Sequence, residues 1–229
     1  MKTLMVTGAT SGLGLEIVKV ASERCKVIAC GRNAKVLNHL QKRYKCGVVH
    51  GDINDWTWGE PPTINTIRNV TESQHVDVFI HCAGVYHRGG KVPLMADNDA
   101  EVAHVLNTNL VSPVLLLRRV ITAMIKRGTG TIAVINSLAG KQGNAEEAAY
   151  CASKFGLRGF VESVRYDCAK SGVRIFSVYP GAMQTPMAKH RDDYGILIQP
   201  RKVAKLLVDI CLKYHTLRVD DLEIMRTAY

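Results

Sequence analysis

A chain of 229 residues is long enough for one sizeable core and too short for two full domains. Its 47% hydrophobic and 22% charged content excludes a disordered chain, and no uninterrupted apolar run approaches the roughly eighteen residues that span a bilayer. The net charge of +10 is uneven, with nine Lys/Arg against two Asp/Glu in residues 1–50 and 21 against 18 in the remainder. Lys35, Lys42, Arg43 and Lys45 are spread along one helix, so most of that excess reads as a solvated face. A nucleic-acid surface would call for an aromatic stacking platform, and none is present in this segment.

Short β-branched runs alternate with longer stretches of helical period, the pattern of a parallel sheet with crossover helices. Strands are expected at Leu4–Thr7, Val27–Cys30, Gly47–His50, Val76–His81, Thr131–Asn136, Val173–Tyr179 and Leu222–Met225. Helices fit at 12–22, 33–44, 63–73, 98–127, 148–171 and 200–213. Between Asp52 and Asn65, Trp56, Trp58, Gly59, Pro61 and Pro62 argue against a regular element. The fold class that follows is α/β, a doubly wound, seven-stranded parallel sheet of Rossmann type, with residues 1–229 as a single domain. Its ligand crevice is expected beyond the carboxyl ends of the strands. The first strand starts at Lys2, which leaves no room for a leader, and the seven cysteines lack zinc-ligand spacing. A cytoplasmic protein with reduced cysteines, no metal, and no membrane or nucleic-acid partner is expected.

Strand one runs directly into Gly8-Ala9-Thr10-Ser11-Gly12-Leu13-Gly14, which opens a helix. Glycines there permit a tight turn and let main chain approach a pyrophosphate seated on the helix amino terminus. Strand two ends Cys30-Gly31-Arg32, without the acidic residue that would hydrogen-bond an adenosine ribose. The guanidinium of Arg32 is instead a fork of donors suited to a phosphate. Further on, Ser137 ends strand five, and Tyr150 and Lys154 lie four apart on a helix, hence on one face. A tyrosine near pKa 10 is a poor acid–base group at neutral pH. An adjacent ammonium and a cationic oxidised nicotinamide both favour the phenolate and should lower that value. Ser137 can hold a substrate oxygen where charge develops.

The T-G-x-x-x-G-x-G spacing, the serine thirteen residues ahead of a Tyr-x-x-x-Lys pair and Asn109 upstream together resemble the short-chain dehydrogenase/reductase family, from Thr7 to about Arg226. The resemblance implies hydride transfer between a nicotinamide and a carbonyl or alcohol carbon, with NADP(H) preferred because of Arg32 and NAD(H) as the alternative. It implies Tyr150 as acid–base group, Ser137 as orienter, Lys154 as ribose anchor and Asn109 as relay. The cofactor set it implies is Gly8, Thr10, Ser11, Gly12, Leu13, Gly14, Arg32, Asp52, Ile53, Ala83, Gly84, Tyr150, Lys154, Pro180, Gly181, Met183 and Thr185. His81-Cys82-Ala83-Gly84 departs from the family's Asn-Asn-Ala-Gly, and His81 reads as a structural hydrogen-bonding residue. The loop at about 182–199 is short for the family's substrate lid; Lys189, His190, Arg191 and Tyr194 are the first places to look for substrate contacts. Pro113 removes the helical donor to the Asn109 carbonyl, so the long helix should bend between them and free that carbonyl for water. A homodimer or homotetramer is expected, from apolar residues on two long helices beyond one core stripe: Leu115, Leu116, Leu117, Phe155, Phe160 and Val161. Competing readings are a dinucleotide-binding sensor or scaffold with weak turnover and a sugar-nucleotide epimerase of the extended type. The short carboxy-terminal part leaves little room for the second.

Overall fold

The computed structural model describes residues 1–58, 75–86, 98–214 and 216–227. In chain order these form β1 (Thr3–Thr7), α1 (Gly12–Ala21), β2 (Lys26–Gly31), α2 (Ala34–Tyr44), β3 (Gly47–His50), α3 (Ile53–Trp58) and β4 (Val78–His81). There follow α4 (Asp99–Leu106), a π-helical turn (Asn107–Val111), α5 (Ser112–Arg127), β5 (Gly130–Ile135), α6 (Ala148–Lys170), β6 (Val173–Pro180), α7 (Pro200–Leu212) and β7 (Asp221–Ile224). The sheet has the order β3-β2-β1-β4-β5-β6-β7, and every neighbouring pair is parallel. Chain order reverses between β1 and β4, so a crevice opens at their carboxyl ends.

Alternation along each strand divides the core into two layers. Leu4 and Val6 of β1 pack with Leu13 and Ile17 of α1, Leu37 and Leu40 of α2, and Val203 and Leu207 of α7. Met5, between them, points the other way, with Phe79 of β4, Leu116 and Val120 of α5, and Leu157 and Val161 of α6. β1 and β4 are buried along their whole length, whereas the edge strands β3 and β7 are half exposed. Two helix starts carry the expected side-chain caps: Asn33 accepts from Val36 N and Asn98 from Glu101 N.

The structure departs from the sequence expectations at three places. α3 occupies part of the stretch expected to be irregular. Asp52 Oδ1 accepts from Asn54 N at 2.9 Å to open it, and the Asn54 side chain ties it to Thr108 (3.1 Å) and Ser112 (2.7 Å). The prolines that argued against an element lie past its end, and they and the helix expected at 63–73 fall outside the described residues. Second, Leu116, Leu117 and Val161 are fully buried within the subunit, so they are core rather than surplus apolar surface; of the six residues singled out, Phe155 is the exposed one. Third, the α4–α5 helix is long and apolar enough to match a membrane span by length and composition, with mean hydropathy 1.3 over its most apolar stretch. Half of that stretch is buried in the fold, as befits a core helix. The seven cysteines are free thiols, six of them buried.

Candidate active site

A cleft of about 470 Å³ lies at the carboxyl ends of the strands, within the usual size of a small-molecule site. All seventeen residues expected to hold a dinucleotide line it, as do Ser137, Tyr150 and Lys154.

The glycine turn fits such a ligand on steric grounds. Gly8 has φ +66° and a Cβ there would stand 2.8 Å from the main-chain nitrogen of Ala83. A Cβ on Gly14 would fall inside contact distance of the Gly8 carbonyl oxygen. Ser11, at the N-cap of α1, makes no side-chain cap bond, so the first amides of that helix point into the cleft uncapped by side chain. A Cβ on Gly31 would lie 2.8 Å from Thr10 Cγ2, which leaves no space for a carboxylate at that position. Arg32 follows it, exposed, with Nη1 donating to Asp52 Oδ2 at 3.0 Å. The sequence suggested that no carboxylate accompanies this guanidinium; the fold brings Asp52 to it from the end of β3.

Beneath this end, Thr7 and His81 replace the missing amides. Thr7 Oγ1 accepts from the main-chain nitrogens of Cys82 (3.2 Å) and Ala83 (3.3 Å). Its own proton is then directed to His81 Nδ1 at 2.9 Å. Burial drives the His81 pKa down to about 3, so the ring is a neutral structural partner.

At the other end, Ser137 leaves β5 and caps a short 3-10 turn, its Oγ accepting from Ala139 N at 3.2 Å. That acceptor role leaves the hydroxyl proton available on the side of Tyr150, whose phenolate form the serine favours. Burial pushes Tyr150 up to about 12, opposed by the Ser137 bond. Lys154 Nζ stands 5.7 Å from the Tyr150 ring centroid, and desolvation of the phenol is the larger influence on it. Lys154 is itself buried, pushed down to about 8 by desolvation, and donates to Ile135 O at 3.4 Å.

Asn109 does not line the cleft. Its side chain lies behind Gly84, accepting from Val85 N and donating to Val85 O, both at 2.8 Å, and reaching Ser153 Oγ at 3.3 Å. It sits inside the π-helical turn, in which Ser112 N–H reaches back five residues to the Asn107 carbonyl. The distortion thus begins before Pro113 rather than at it. Pro113 lacks an N–H, so the Asn109 carbonyl has no ordinary helical donor four residues on.

Three side chains escaped the sequence reading. Asn136 joins the parts: Oδ1 accepts from Ser137 N at 3.0 Å and Nδ2 donates to Lys154 O at 3.2 Å. Tyr86 packs edge-on against Tyr150, centroids 4.9 Å apart, and donates to Glu147 Oε1 at 2.8 Å. Glu147 stands three residues before Tyr150, a spacing that places both on one side of a helix and could have marked it. From the 186–196 segment, His190 and Arg191 line the cleft, whereas Lys189 and Tyr194 do not.

The comparisons with known proteins agree with this architecture. The family model for short chain dehydrogenase matches residues 2–194. A putative ketoacyl reductase of Streptomyces coelicolor is 34% identical over 189 residues, covering 80% of this chain and 71% of its own. Sepiapterin reductase of Chlorobaculum tepidum is 27% identical over 240 residues, covering 98% and 96%. Among solved structures, an actinorhodin polyketide ketoreductase with NADPH has a TM-score of 0.84 at 27% identity, covering 98% of this chain and 96% of that one. Matched by the family model over most of its length and similar across the sheet to these relatives, the chain belongs to the short-chain dehydrogenase/reductase family of oxidoreductases.

Proposed function

We propose that the protein is an NADP(H)-dependent reductase of small carbonyl compounds. The observation that carries this reading is the arrangement around Tyr150: a buried phenol that lines one cleft with Ser137 and Lys154, opposite a glycine cradle at the other end. Bound nicotinamide supplies the hydride. Ser137 orients the carbonyl oxygen, Tyr150 gives it a proton, and the Lys154 ammonium holds ribose hydroxyls while its charge steadies the phenolate left behind. The Asn109 carbonyl, deprived of a donor by Pro113, accepts from a water that returns protons towards Lys154.

Preference for NADP(H) over NAD(H) rests on Arg32 and on the absence of room for a carboxylate at Gly31. Asp52 competes with the adenosine phosphate for the same guanidinium, so the phosphate must displace or share that ion pair. The segment at about 182–199 serves as the substrate loop of a single domain formed by residues 1–229. The protein acts in the cytoplasm as a homodimer or homotetramer through α4–α5 and α6, where Phe155 is exposed. A light-scattering mass of one subunit at micromolar concentration would count against that assembly.

The decisive experiment is NADPH oxidation followed against a panel of ketones and aldehydes. Steady turnover with at least one is expected. Tight NADPH binding with no turnover across the panel would instead favour a dinucleotide sensor.

A further inference from the structure

The substrate end of the cleft carries one carboxylate that the reductase reading leaves unused. Glu147 is the N-cap residue of α6, yet its side chain makes no cap bond. Its oxygens go elsewhere: Oε1 accepts from the Tyr86 hydroxyl at 2.8 Å and Oε2 from Asn144 Nδ2 at 3.0 Å. Both donors are neutral, so they fix the carboxylate without cancelling its charge. A carboxylate has about four acceptor sites, and these bonds use one on each oxygen.

Among the described residues, the cations near it are committed elsewhere. Arg191 faces Glu147 from the loop, but its guanidinium is engaged by Asp193 through two bonds of 2.8 and 3.0 Å. Lys154 lies on the far side of Tyr150, over that ring and towards β5. The Tyr86 ring stands edge-on to Tyr150 and parallel to His190, with centroids 6.3 Å apart. Among the described residues the rim is therefore aromatic, with the Glu147 carboxylate held in the cleft wall by two neutral donors.

Resting on the reductase reading, we propose that Glu147 determines specificity by selecting carbonyl substrates that carry a cationic group, an amine or amidinium, on an aromatic or apolar body, and by rejecting carboxylates. Glu147 and Tyr150 both line the cleft and Tyr86 touches each of them, so the cation should sit on the Tyr86 side of the carbonyl. Tyr86 acts as a positioning residue: its hydroxyl aims the carboxylate, and its ring supplies a surface for the body of the substrate.

The test uses three meta-substituted acetophenones of nearly equal shape, bearing aminomethyl, methyl and carboxylate groups, reduced with NADPH. The native protein should favour the ammonium over the carboxylate ketone in kcat/KM by at least about tenfold, and the preference should shrink with added salt. Glu147→Gln should collapse that ratio at least about tenfold, whereas Glu147→Asp should restore part of it. Tyr86→Phe keeps the charge and loosens its aim, so the ratio should fall less than in Glu147→Gln. A native ratio near one, or a ratio that Glu147→Gln leaves unchanged, overturns the proposal. If none of the three is reduced, that result counts against the reductase reading alone. Charge selection is then read from calorimetric binding of meta-ethylbenzylammonium against meta-ethylbenzoate, where equal affinities, or the same preference in Glu147→Gln, overturn it.

Discussion

At its glycine-turn end the cleft is walled by main chain, and at its Tyr150 end by side chains. Gly8, Gly12, Gly14 and Gly31 place backbone where a ligand must pass, and a Cβ at Gly8, Gly14 or Gly31 would collide with its neighbours. Tyr86, Ser137, Glu147 and Tyr150 form the other wall, where Tyr86 donates to Glu147 and packs edge-on against Tyr150. Geometry set by backbone tolerates little substitution and leaves a short fixed motif. Geometry set by side chains can be re-aimed one residue at a time, as substrate choice requires.

If the two ends divide the work in this way, changes at one should alter rate and at the other affinity. The largest effect is expected from Tyr150→Phe, which removes only the proposed proton donor. Turnover should fall at least about a hundredfold while NADPH affinity stays within about twofold. Retention of a tenth of the rate would mean that another group delivers the proton. Next comes Arg32→Ala, which should reduce the preference for NADPH over NADH by about ten- to a hundredfold, the loss of one charged contact of about 1.5–3 kcal/mol. Asp52→Asn sharpens the same point, since it releases Arg32 from its ion pair and should leave that preference equal or higher. Equal kcat/KM for the two cofactors in the native protein would remove the basis for both. Gly14→Ala places a methyl against the Gly8 carbonyl and should lower stability by about 1–3 kcal/mol, with weaker NADPH binding. An unchanged melting temperature would show that the turn has slack.

The smallest effect is a pH dependence. Lys154 titrates near 8 in the folded protein against an ordinary 10.5, because burial disfavours its charge. Between these values the unfolded chain binds more protons, so this group's contribution to stability rises as pH climbs from about 8 towards about 10 and is lost below. Without nucleotide, the native protein should gain on the order of 1 kcal/mol relative to Lys154→Met across that window. Parallel curves for the two proteins would place the ammonium in a better-solvated setting than its burial indicates.

The same division explains what could be read from the sequence. Strand periodicity and the glycine spacing are local, and the parallel sheet, its crevice and the nucleotide wall followed from them. Ser137, Tyr150 and Lys154 were legible because their spacing in sequence is itself the motif. The Arg32–Asp52 pair was not, because it joins residues twenty apart across two strand ends. Nor was the Thr7–His81 pair, which substitutes for two amides across a span of 74 residues. The burial that pushes the Tyr150 pKa up depends on everything packed around the ring, and spacing says nothing of it. α3 was missed because its start depends on a cap from Asp52 and on anchors from Thr108 and Ser112, distant in sequence.

The π-helical turn at Asn107–Val111 acts as a phase shifter. An α-helix advances about 100° per residue, so one helix 29 residues long would keep a single continuous apolar stripe. A π turn takes up one additional residue and rotates everything beyond it by roughly that angle. Before the turn, α4 directs Val105 to Tyr150 and Cys151; after it, α5 directs Leu116, Val120 and Met124 to the sheet. One rod thereby serves two clients whose directions differ. Removing a single residue from 107–111 would leave an ordinary α-helix by any local measure. It would nevertheless mis-aim either the floor beneath Tyr150 or the layer against β4 and β5, whichever half yields.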